Sequence, residues 1–266
     1  MMEADAPVRY MFLRATPPGR DPLPEGVRTP ISQMLIGGQG GEVRLKLYLS
    51  LLWLGARKPY AVEGKPASAW ARLFGLPVPA TNGAQRVAAA IDWLVENGFI
   101  TAARQQGRPA RLTPRLEDGT GAYERPQPTE EGFAEADRYL KLPQELWSRG
   151  WMGVLSAAAL TSFIIILDET NSQPDARHEE RDGRKGATFK RLAWGPFVWL
   201  AESVLVDRYR ISYDLWEKGC RELAALELIN RRFRGDVAGF GPRQRRRQVQ
   251  IAFKVLTEGP PKPDRA

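Results

Sequence analysis

Apolar positions recur along this chain with two periods, and each change of period marks an element. Val43 to Ala56 (VRLKLYLSLLWLGA) is apolar nearly all round, with Leu47, Leu51 and Leu54 on one face, as a central buried helix requires. Ala67 to Phe74 predicts a short helix stopped by Gly75 and Pro77. A long helix begins at Thr81 or Asn82, buries Ala84, Val87, Ile91 and Leu94, and stops at Asn97-Gly98. Phe99-Ile100 opens a strand, the polar turn QQGRPAR follows, and a second short strand lies near Leu112.

The second half reads in a similar way. Trp151 to Leu167 is the longest apolar run, too short and too interrupted by Gly153, Ser156, Thr161 and Ser162 for a comfortable membrane span. It predicts a buried helix from Leu155 to about Asp168. Pro196 to Tyr209 predicts a helix packed through Val198, Leu200 or Ala201, and Leu205, and Arg210-Ile211 turns the chain. Ser212 is placed to cap a helix running to about Leu226, with Trp216, Gly219, Cys220 and Leu223 on one face. Leu228-Ile229 then starts a strand, Gly235, Gly239 and Gly241 punctuate a turn, and Val249, Ile251 and Phe253 alternate as a half-buried return strand. The halves form a weak repeat. Leu94 precedes Phe99-Ile100 as Leu223 precedes Leu228-Ile229, and Glu227 stands where the first copy has Gly98.

The remaining segments divide the chain. Residues 1–41 are rich in Pro and Gly and predict an extended arm with a short strand near Ile31 to Ile36. A first domain spans 42–116, an acidic linker 117–138 and a second domain 139–257, followed by a tail at 258–266. Within the second domain, 171–190 is a polar, mixed-charge loop whose composition reads as disorder.

Charge changes this picture. Between Asn230 and Lys254 lie Arg231, Arg232, Arg234, Arg243, Arg245, Arg246, Arg247 and Lys254 against one acid, Asp236, in a chain whose net charge is +8. Nearly all the excess sits on one hairpin. A solvated surface loop is the bland explanation. The run is single-signed and Arg-rich, however, and guanidinium groups suit phosphate oxygens because they are planar, permanently charged and bidentate. Arg104, Arg108, Arg111 and Arg115 decorate the first hairpin in the same way.

Composition excludes other chemistry. One Cys and one His rule out a disulfide framework and an ordinary zinc site, so neither a metal nor a cofactor is expected. His178 lies in a polar loop, and Cys220 lies on an apolar helix face. Glu179, Glu180 and Asp182 cluster without an apolar frame, and no GxxxxGK[ST] loop is present. Tyr139 and Tyr209 are the remaining candidates for a strand-breaking nucleophile, without supporting machinery. The expectation is a non-enzyme. No signal peptide is visible, which points to a cytoplasmic, nucleoid-associated protein without membrane contact.

Helix, short helix, turn, long helix and two-stranded hairpin resembles the winged helix-turn-helix, and both halves carry it. Gln85 to Ile100 (QRVAAAIDWLVENGFI) resembles the end of a recognition helix and the start of its wing, and Ser212 to Ile229 looks like a second copy. The chain is therefore similar to tandem winged-helix DNA-binding proteins such as plasmid replication initiators and actinobacterial mobile-element proteins. The implied fold class is mainly α with small β-hairpin wings (α+β), as two tandem winged helix-turn-helix domains. The resemblance implies a long helix in a major groove and wings on the phosphates. In the first domain Asn82, Gln85 and Arg86 would read bases, beside Ala89, with Arg104, Arg108 and Arg111 on the wing. In the second, Ser212, Tyr213, Lys218 and Arg221 are candidate contacts, while Asp214 and Glu217 would repel phosphates, so the wing would grip more than the helix reads.

The expected function is binding of double-stranded DNA, sequence-specifically, as a replication initiator or transcription regulator of a mobile element. The alternative is a winged-helix structural or protein-interaction module of a chromosome- or plasmid-maintenance complex, with a second copy of the chain or another protein as partner.

Overall fold

Two long helices that are hydrophobic on every side must be buried on every side, and they set the centre of the protein. In the computed structural model, which describes residues 5–55, 57–126, 134–172, 194–234 and 246–261, these are α3 (Gln39–Leu54) and α8 (Ala157–Asn171). They touch each other, and one contiguous apolar core surrounds both. The chain is mixed α+β, with helices and three two-stranded antiparallel sheets among the described residues. None of its described helices is long and apolar enough to cross a membrane.

After each central helix the chain repeats one order of elements. In the first half, Val62 makes a single antiparallel bridge to Leu112. Then come α4 (Ala67–Leu73), α5 (Asn82–Glu96) and the hairpin of β2 (Ile100–Gln105) and β3 (Arg108–Pro114). In the second half, Val198 makes the same kind of bridge to Val249. Then come α9 (Glu202–Tyr209), α10 (Tyr213–Ala225) and the hairpin of β5 (Ile229–Arg234) and β6 (Arg246–Ile251). The match extends to single hydrogen bonds. Phe99 N–H donates to the Leu94 carbonyl at 2.9 Å, and Leu228 N–H donates to the Leu223 carbonyl at 2.9 Å. Gly98 and Glu227 occupy the same left-handed position, with φ of 77° and 58°.

The sequence placed α3, α4, α5, α8 and α10 within a few residues of where they lie. Ser212 caps α10 as expected, its hydroxyl accepting from Leu215 N–H at 3.3 Å. The buried face of α5 is shifted slightly: Gly83, Val87, Ala90 and Leu94 are buried, whereas Ala84 and Ile91 are half-buried. Gly219 is the contact point of α10 with α8. A Cβ there would lie 2.2 Å from Ser162 Oγ and 2.3 Å from the Ala158 carbonyl oxygen.

Other expectations are corrected. The strand near Ile31 to Ile36 is instead a helix, α2 (Pro30–Met34), because Thr29 accepts from Ser32 N–H and Pro30 fits the first helical turn. The helix expected from Pro196 begins only at Glu202, since the preceding residues are extended and bridged to β6. Phe253 does not continue a strand but starts α11 (Phe253–Glu258).

Residues 1–41 do not run free as an extended arm. β1 (Ala6–Arg9) pairs antiparallel with β4 (Tyr139–Leu142), and α1 (Tyr10–Leu13) packs its buried Met11, Phe12 and Leu13 into the core. Two buried charges fix this arm. Arg9 meets Glu117 at 3.0 Å and Asp137 at 2.9 Å, and Arg14 makes two bonds to Asp168, at 2.6 and 2.8 Å. The Thr29 hydroxyl donates to the Tyr209 carbonyl, and Gln33 reaches Asn97 at the end of α5. The acids of residues 117–138 that are described therefore include one fully buried partner of the arm, Glu117, and one partly exposed partner, Asp137. Two short helices, α6 (Glu145–Ser148) and α7 (Trp151–Val154), lead from β4 into α8. At that junction Gly75 approaches so closely that a Cβ would sit 2.2 Å from the Gly153 carbonyl oxygen.

Candidate nucleic-acid interface

The outward face of α5 is set by what its inward face must do. Gly83 faces α4 at a distance where a Cβ would meet Ala71 Cβ at 3.0 Å, so the helix start is pressed onto its neighbour. That leaves Asn82, Gln85, Ala88, Ala89 and Asp92 exposed, with Arg86 half-buried. This is a neutral, amide-bearing surface with two methyl-sized side chains at its middle. Such a face can approach base edges closely and offer amide donors and acceptors to adenine. Thr81 makes no side-chain cap to this helix.

The first hairpin carries its arginines at defined heights. Arg108 is exposed beside the Gly107 turn, where Gly107 has φ of 72°, and has no ion pair among the described residues. Arg104 is paired with Asp92 of α5, and Arg111 with Glu63 at 3.1 Å. Both pairs are largely exposed. Exposed pairs contribute about 0–1 kcal/mol, so a phosphate can exchange for the carboxylate at small cost.

In the second half, Tyr213, Asp214, Lys218 and Arg221 are exposed on α10, as is the Ser212 cap. Arg231 is not a free cation: it bonds Glu217 at 2.7 Å, with both groups partly buried. Arg232 lies 3.4 Å over the Phe197 ring and donates to Gln248 Oε1 at 2.9 Å. Arg234 is the cross-strand partner of Arg246, and Phe233 that of Arg247, in an unbroken antiparallel register. Arg243 and Arg245, together with Gly235, Gly239 and Gly241, lie outside the described residues, as do His178, Glu179, Glu180 and Asp182.

The carboxylates that bind these arginines were not read as partners from the sequence. Asp92 sits on the exposed side of α5, and Glu63 becomes a neighbour of Arg111 only through the one-residue bridge at Val62. Phe197 and Trp199 were also missed as surface groups, having been assigned to a helix. The alternation Phe197-Val198-Trp199-Leu200 after Gly195-Pro196 was the available strand signal.

The Tyr209 hydroxyl is buried between Asp168 and Glu169, at 2.7 and 2.6 Å, and burial raises its pKa far above the ordinary phenol value. It is sequestered from substrate and held as the phenol. Burial likewise pushes the Cys220 thiol up to about 12, which removes it as a nucleophile at neutral pH. Among the described residues, no three His, Cys, Asp or Glu side chains are placed to hold a metal ion. No protein-family model matches the chain, and no curated protein or solved structure is significantly similar to it.

Proposed function

We propose that the protein binds double-stranded DNA through two winged-helix units, with α5 reading the major groove and the hairpins gripping phosphates. The observation that carries this reading is the repeated order of helix, bridged strand, helix, helix and hairpin. In its first copy the long helix presents Asn82, Gln85, Ala88 and Ala89 outward. Exposed cations lie at Arg108 on the first hairpin and at Arg232 on the second. The biological role most consistent with such a pair is a replication initiator or a transcription regulator of a mobile element.

The test is site selection from a random duplex library, followed by Gln85→Ala. The variant should bind random DNA as wild type does while losing about 1–3 kcal/mol for the selected site, the usual value of a bidentate amide–base contact. Equal loss on every sequence would remove α5 as the reader.

A second reading has its own support. Arg104, Arg111 and Arg231 are each paired with a carboxylate of the same chain, and α10 presents Asp214 beside Tyr213. Those features suit a protein-interaction module. A stable protein complex formed without nucleic acid, together with no duplex affinity, would favour it.

A further inference from the structure

The two hairpin sheets share their register beside the Val62 and Val198 bridges, although the first is irregular between Ala103 and Gln105, and they differ in surface chemistry. In the first, the Val62–Leu112 bridge places Glu63 beside Arg111, with Ala103 beyond it on β2, and Ala61 beside Thr113 and Thr101. That outer face is small, neutral and internally paired. In the second, the Val198–Val249 bridge places Trp199 beside Gln248 and Arg232, and Phe197 beside Gln250 and Asn230.

This second face is built as a layer of planar groups. Trp199 is 42% exposed, and Arg232 is exposed while lying over the Phe197 ring. Gln248 holds Arg232 in place, and Gln250 is held by the Gly195 carbonyl, so the amide row is fixed. The inner face of the same strands is ordinary core, with Val198, Val249, Ile229 and Ile251 buried. A duplex offers phosphates to such a surface but keeps its base faces stacked. A strand with unpaired bases can supply both a π-face for Trp199 and a phosphate for Arg232.

The geometry points to the outer face of the second sheet as a binding site for single-stranded DNA. Bases would stack at Trp199 and at the Phe197–Arg232 pair, with backbone phosphates beside the exposed Arg232 guanidinium. That the strand is DNA rests on the duplex-binding reading above; that it is single does not.

The experiment is fluorescence anisotropy of the full chain with labelled dT15, U15 and a 15-base-pair duplex. Wild type should bind dT15, Trp199→Ala should weaken that binding by about 10-fold or more, and Trp199→Phe should restore most of it, as stacking predicts. Duplex affinity should be the same in all variants. No binding of dT15 by wild type, or equal binding by Trp199→Ala, overturns the site. Equal weakening on dT15 and duplex without rescue by Trp199→Phe also overturns it. U15 bound more tightly than dT15 overturns the assignment to DNA. Loss of duplex binding alone strikes the earlier reading and leaves this one standing.

Discussion

Exchanging the residues at the two helix ends that the repeat makes equivalent gives a prediction with opposite signs. Gly98 and Glu227 both follow their long helices in the left-handed conformation, and their N–H groups bond the Val95 and Ala224 carbonyls at the same 3.1 Å. A side chain in that conformation costs about 1–2 kcal/mol. Glycine avoids this but loses more chain entropy on folding, which returns roughly 0.4–1 kcal/mol to the unfolded state. A Cβ at Gly98 would meet only ordinary contacts, 3.5 Å from Arg115 Nη1 and 3.7 Å from the Gly119 carbonyl oxygen, so the backbone term is the whole effect. The Glu227 side chain is exposed and has no hydrogen bond or ion pair among the described residues, so removing it sacrifices little. Glu227→Gly should therefore stabilise by about 0.5–1 kcal/mol, and Gly98→Ala should destabilise by about the same amount. Urea denaturation with an unchanged m-value reads both, and in a chain of this size each kcal/mol is about 2–4 °C in Tm. Destabilisation by Glu227→Gly, or stabilisation by Gly98→Ala, would refute the equivalence of the two helix ends.

Two further predictions concern packing and buried charge. Gly219→Ala forces α10 away from the Ser162 hydroxyl and Ala158 carbonyl, at a net cost of about 2 kcal/mol despite alanine's helix preference; a neutral effect in chemical denaturation would contradict the close contact. Lys46 is 1% exposed and bonds Glu42 at 2.7 Å, and burial, only partly offset by Glu42, lowers its pKa below the ordinary lysine value. The unfolded chain thus binds that proton more tightly, so wild-type stability gains as pH rises toward about 10.4. Lys46→Met should be at least as stable as wild type at pH 7, with an advantage that shrinks on the way to pH 10. A large loss at pH 7 would show that the ion pair is net stabilising.

The parts of this fold written in local periodicity were legible in the sequence. Val87 and Leu94 on α5, and Trp216, Gly219, Cys220 and Leu223 on α10, recur at helical spacing and are buried on one face as that spacing requires. The Phe99-Ile100 and Leu228-Ile229 pairs open their hairpins for the same reason. What was not legible depends on partners distant in sequence. The bridges at Val62 and Val198 are one residue long, and a single bridge leaves no alternation to detect. β1 has four residues and pairs with β4 more than a hundred positions away, so nothing local distinguishes it from an extended arm. Thr29-Pro30 was a readable helix start, but the Pro- and Gly-rich surroundings outweighed it. At the candidate interface, the sequence located the cations and missed their carboxylates. Asp92 with Arg104, Glu63 with Arg111 and Glu217 with Arg231 come together only when the hairpins fold back on the helices.

The central claim is that a polyanionic duplex lies against this chain, and its salt dependence tests that most directly. Titrating the full protein onto a labelled duplex between 50 and 300 mM salt should give log Kobs falling linearly with log salt. If about four phosphates are contacted, the slope is about −3.6. Arg245, Arg246 and Arg247 replaced together by Ala should flatten it by about 2–3. No measurable duplex affinity at 50 mM salt, or a slope the triple substitution leaves unchanged, would contradict the account.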